Sequence, residues 1–126
     1  MRADRPKEIF VVVPLVPPTG NSYVRHTRDG RHYVTKEAKA FRDAVAILSG
    51  GAERFTGRDD LEVWVKVFRG KGDRGDADNY LKVTLDSVVK AGLIVSDDDI
   101  VDVHVSKRRD RDNPRTEIRI GLSGKD

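Results

Sequence analysis

Two aspartates one residue apart, Asp76 and Asp78, follow a glycine-rich charged loop, and 19 residues later three more stand in a row, Asp97 to Asp99. Carboxylates gathered this way suit hard divalent cations, because oxygen-only ligand sets select Mg2+ or Mn2+ over zinc or copper. Several ionised carboxylates within a few ångströms repel one another strongly unless a cation sits among them. Helix capping is the competing use: aspartate at an N-cap or in a first turn accepts backbone N–H bonds worth about 0.5 to 2 kcal/mol each. Capping accounts for one aspartate more readily than for a pair.

Lys82 stands four residues after Asp78, on the same polar helix face as Asp86. It is either a surface partner worth a few tenths of a kcal/mol or a fixed positive charge for a scissile phosphate. Other carboxylate chemistries fail on spacing. A calcium loop begun at Asp76 places Leu81 where glycine must turn and Ser87 where a bidentate glutamate must sit, so this is no EF-hand. Asp-x-Asp pairs of nucleotide-sugar transferases need a nucleotide-binding domain for which 126 residues leave no room.

The acids are locally concentrated. Between residues 73 and 102 there are eight acids against three bases, which leaves 21 bases and 13 acids elsewhere. A basic body around an acidic island suits a polyanion held by the body while a cation neutralises the island. The chain has no cysteine, which excludes a disulfide scaffold, a thiolate zinc site and a cysteine nucleophile. The apolar run from Ile9 to Val16 is short and broken by Pro14, so neither a signal peptide nor a membrane span is expected, and a cytoplasmic protein is.

The elements that must position these groups can be read in order. Ile9 to Val16 reads as a largely buried strand, ended by Pro17-Pro18. Two short segments around Arg28-Asp29-Gly30 form a hairpin pattern. Thr35 caps a helix over 36–49 with Ala38, Phe41, Val45 and Leu48 on one face. Leu61 to Phe68 alternates strictly, with Trp64 on the opposite side from the valines, marking a second contact surface such as a dimer contact. A second helix begins at Asp76 or Asp78, buries Ala77, Leu81, Leu85 and Val88, and stops at Gly92. Strands follow from Ile100 and from Thr116. The expected fold is one α/β (α+β) domain over residues 1–126, a mixed sheet with two main helices.

A helix of roughly 14 residues is about 20 Å long. Either the segment after Gly92 runs back along it to bring Asp97 beside Asp76, or the acidic turn sits at its far end; spacing alone leaves both open.

With these residues in view, the chain resembles the RusA family of Holliday-junction resolvases. The likeness rests on Asp76-Ala77-Asp78-Asn79 with Lys82, on Leu85-Asp86, Ala91-Gly92, Asp97, Ile100-Val101-Asp102 and Lys107, and on Pro17-Pro18-Thr19-Gly20-Asn21 with Tyr23 to His26. The resemblance implies a Mg2+-dependent endodeoxyribonuclease, with Mn2+ as a substitute. It implies a homodimer that binds four-way junction DNA and nicks two opposing strands symmetrically through metal-activated water, in a bacterial or phage-infected cell and without a small-molecule cofactor. Carried over by position, the catalytic residues are Asp76, Asp78, Asp97 and Lys82. Ser96 stands where the family often has a first aspartate, so Asp98 is included with Asp76, Asp78 and Asp97 as a metal ligand. Expected DNA contacts are Arg25, His26, Arg28, Arg31, His32, Lys36, Lys39, Lys71 and Arg74. A silent branched-DNA-binding module and a broader flap or fork nuclease are the rival readings.

Overall fold

Alternation of side chains decides the sheet. In the computed structural model, which describes residues 8–19, 24–26, 32–51, 53–73 and 75–124, Glu8–Val13 (β1), Leu61–Arg69 (β4), Ile100–Arg109 (β5) and Arg115–Leu122 (β6) form one four-stranded sheet in the order β1-β6-β4-β5. Val24–His26 (β2) and His32–Val34 (β3) pair separately as an antiparallel hairpin. β4 and β5 are parallel, and the other contacts within the large sheet are antiparallel. The mixed α+β architecture follows the sequence pattern.

One face of the sheet carries Ile9, Val11 and Val13 of β1, Ile118 and Ile120 of β6, and Leu61, Val63, Val65 and Val67 of β4, all buried. Helix Lys36–Leu48 (α1) adds Phe41 and Val45 to this core, and helix Leu81–Lys90 (α2) adds Val88. Thr35 caps α1, its hydroxyl accepting from the Ala38 N–H at 3.3 Å. Gly92, at φ +78°, ends α2 in the left-handed conformation that favours glycine.

Three local expectations need correction. The first strand ends at Val13 and alternates, leaving Phe10 and Val12 on the outer face, as an edge strand with one dry side does. Leu48 is half exposed, because Ser49 takes the inward position and donates to the Val45 carbonyl at 2.6 Å. The buried stripe of α2 is centred on Val83, Thr84, Ser87 and Val88, with Leu81 and Leu85 at its margin. Thr84 and Ser87 tolerate burial because their hydroxyls bond the carbonyls of Tyr80 and Val83 in their own helix.

The connection from β4 through α2 to β5 sets the geometry that matters. β4 runs up the sheet, α2 returns, and β5 rises again beside β4, with Leu61 paired to Ile100 and Arg69 to Arg109. Side chains just after β4 and just before β5 are thereby sent to opposite ends. No helix among the described residues is long and apolar enough to cross a membrane.

Candidate active site

Asp76 and Asp78 stand at the carboxyl end of β4, the end at which open α/β sheets bind ligands. Asp73 folds the preceding glycine loop: its carboxylate accepts from the Gly70 N–H at 2.7 Å, and its own N–H donates to the Gly70 carbonyl at 3.3 Å. Gly75 has φ +142°, and a Cβ there would lie 2.6 Å from Thr19 Cγ2 and 3.2 Å from the Tyr80 ring. The Pro-Pro loop and the start of the second helical segment therefore close on a position that only glycine fills. From β5, the Lys107 ammonium donates to the Gly75 carbonyl at 3.2 Å.

Residues Ala77–Tyr80 form a 3-10 turn that leads into α2. Asp76 occupies its N-cap position, yet its side chain makes no capping bond. Asp76 and Asp78 are both exposed. The capping explanation thus fails for Asp76, and two solvent-facing carboxylates flank one short turn. Lys82 is exposed on the first turn of α2, and Lys36, Lys39 and Lys71 are exposed as well.

The second acidic cluster forms a 3-10 turn, Asp97–Asp99, capped by Ser96, whose hydroxyl accepts from the Asp98 N–H at 3.1 Å. Its members have different fates. Asp97 and Asp98 are exposed. Asp99 is buried and takes a hydrogen bond from Arg58 Nε at 2.6 Å, an ion pair that joins the leads into β4 and β5. The sequence pattern offered no signal for that pairing across 41 residues.

Within one chain the two clusters do not meet. Asp97 immediately precedes β5, whereas Asp76 lies at the Lys107 end of that strand. Seven residues of strand separate Ile100 from Lys107, about 23 Å at 3.3 Å per residue. Accordingly, no group of three or more His, Cys, Asp or Glu side chains that could hold a metal occurs among the described residues. Of the two arrangements left open by spacing, the acidic turn sits at the far end of the helix.

Of the expected DNA contacts, Arg28, Arg31 and Arg74 lie outside the described residues, while Arg25 and His26 belong to β2 and His32 to β3.

Comparison with known proteins covers most of the chain. The family model for endodeoxyribonuclease RusA matches residues 14–121. The chain belongs to the RusA endodeoxyribonuclease family. A crossover junction endodeoxyribonuclease of Enterobacteria phage 82 is 32% identical over 109 residues, covering 86% of this chain and 90% of that protein. The enzyme of the same name from Escherichia coli K12 is 33% identical, and that of Shigella sonnei 31%, each with the same coverage. The RusA match spans both acidic clusters, Lys82 and Lys107, so the parts described above lie inside the shared region.

Proposed function

We propose that this RusA-family endodeoxyribonuclease resolves four-way DNA junctions as a homodimer, nicking two opposing strands symmetrically with Mg2+, for which Mn2+ can substitute. The observation that carries the reading is the pair of exposed carboxylates, Asp76 and Asp78, presented on a tightly anchored turn at the carboxyl end of a parallel strand. The names of the chain's bacterial and phage relatives, crossover junction endodeoxyribonucleases, support a branched DNA substrate.

The donor set fits magnesium. Mg2+ is commonly held by one or two carboxylates together with water and substrate phosphate. Asp76 and Asp78 supply two hard oxygen ligands, and Asp76 makes no capping bond. When bound, the metal supplies the charge that activates water and stabilises the departing alkoxide. Lys82 adds a fixed positive charge on the turn beyond Asp78.

The remaining ligands, Asp97 and Asp98, come in this reading from the partner subunit. β5 is an edge strand, and Val103 is 44% exposed although its strand neighbour Val63 is fully buried on the same face. The chain's own helices leave that valine bare, and Val101 beside it is 50% exposed. Antiparallel pairing of two β5 strands centred on Asp102 sets residue 97 of one copy opposite residue 107 of the other. Lys107 already touches Gly75, so each Asp76–Asp78 pair gains the partner's acidic turn. An isologous dimer of this kind carries two equivalent sites, as a two-fold substrate requires.

The test is cleavage of a labelled mobile four-way junction with Mg2+, beside linear duplex and flap controls. Paired nicks in the junction alone are expected, and Asp76→Asn and Asp78→Asn should bind junctions yet not cut them. Equal cutting of flaps would give the site to the broader flap or fork nuclease, and undiminished cutting by both variants would refute the carboxylate assignment.

A further inference from the structure

The helices cover only one face of the large sheet. On the other face a single register row crosses all four strands: Phe10 pairs with Arg119, Arg119 with Trp64, and Trp64 with His104. At about 4.8 Å between strands, the row is about 14 Å long. Trp64 and His104 stack with centroids 5.4 Å apart and planes 11° apart. Glu62 holds the imidazole there, its Oε2 lying 2.6 Å from His104 Nε2. The Arg119 guanidinium lies 5.3 Å above the Phe10 ring. Phe10 is 51% exposed and Trp64 37%. These aromatic surfaces are held in place and left open.

Charge on this face is graded along the strands. Lys66 and Arg108 project from the half nearer Asp76, whereas Glu8, Glu62 and Asp102 form the row at the opposite end. Arg115 adds little to the gradient, because Asp110 and Glu117 are both 3.0 Å from it. A polyanion on this face is therefore drawn toward the end that carries the candidate active site.

We infer that the bare sheet face binds unstacked nucleotides of a DNA strand, with bases on Trp64 and Phe10 and phosphates on Lys66 and Arg108. This rests on the reading of the protein as a DNA nuclease and adds a surface to it. Aromatic rings spread across an open sheet, here with Arg119 of β6 between Phe10 and Trp64, accept bases of any sequence, each stack being worth about 1 to 3 kcal/mol. Opening a junction at its crossover leaves unpaired nucleotides, and such a platform binds them.

Trp64 is the chain's single tryptophan, so its emission reports this site alone. Wild-type protein in EDTA is titrated with hexathymidylate and, separately, with a short duplex. Saturable quenching by the single strand is expected, weaker in high salt and weaker by roughly tenfold in Phe10→Ala and in Lys66→Glu. An emission that never responds to the single strand overturns the inference. So does an emission that iodide cannot quench in the dimer, which means a second copy covers the face. Junction cleavage with Mg2+ is measured on the same preparation. Cleavage without quenching sinks the platform and leaves the nuclease standing; quenching without cleavage of any branched substrate does the reverse.

Discussion

The Lys107 ammonium and the Gly75 carbonyl, 32 residues apart in sequence, meet at 3.2 Å. The bond ties the end of β5 to the residue before Asp76, and so couples the acidic turn to the sheet. A charge-assisted bond at an exposed site is worth about 0.5 to 1 kcal/mol, or roughly a factor of two to five. Lys107→Met should therefore speed amide exchange across Asp76–Tyr80 by roughly two- to fivefold and slow junction cleavage comparably, with junction affinity unchanged. Lys107→Arg should restore much of both. Exchange rates in Lys107→Met equal to wild type would show that the contact does not hold the turn.

Sharing of each site between two subunits makes a prediction that a self-contained site does not. Neither Asp76→Asn nor Asp97→Asn homodimers should cut. Mixing them after unfolding gives heterodimers in which one site carries both lesions and the other none. About a quarter of wild-type nicking should return, as single nicks without paired resolution. No recovery at any mixing ratio would place all ligands of a site in one subunit.

Val103 lies at the middle of the edge that this dimer uses. Val103→Lys would bury an unpaired ammonium there at a cost of several kcal/mol, which should leave a folded monomer. Sedimentation equilibrium should show the loss of dimer, and cleavage should fall at least roughly tenfold at low protein concentration. A dimer of unchanged strength would move the interface elsewhere.

Acid should loosen the turn between β5 and β6. The Arg115 guanidinium, 3.0 Å from Asp110, holds that carboxyl below the usual carboxylate range; partial desolvation opposes it, and N–H groups of Asn113 and Asp112 add to the lowering. A carboxyl depressed in the folded state stabilises above its unfolded value, near 4, and that stabilisation is lost as pH falls through the folded value. Urea midpoints of wild type and Asp110→Asn should thus differ at pH 6 and draw together as pH falls below about 4. A gap that persists in acid would point to packing instead.

Much of the fold could be read from periodicity. The alternation of Leu61, Val63, Val65 and Val67 put a strand where β4 lies, and Thr35 and Gly92 marked a start and a stop that their backbones confirm. The misreadings have local causes. Thr84 and Ser87 counted as polar, although each satisfies its hydroxyl on its own helix and can be buried. Phe10 and Val12 counted as buried, although they sit on an edge strand's open side.

The sequence alone determined the candidate chemistry, because Asp76, Asp78 and Lys82 fall within two turns of one another and side chains that close are placed by local backbone geometry. It determined too that the acids form an island in a basic body. Only the tertiary structure decided which groups share a neighbourhood. A parallel crossover returns the chain to the start of the next strand, so Asp97 is carried to the end of the sheet opposite Asp76, while Lys107 is brought to Gly75. The same crossover pairs Arg58 with Asp99 and sets His104 beside Trp64, while the antiparallel pairings of β6 with β4 and with β1 add Arg119 and Phe10 to the row. Such juxtapositions depend on strand order and register, set by burial of the whole core and by no single stretch of residues.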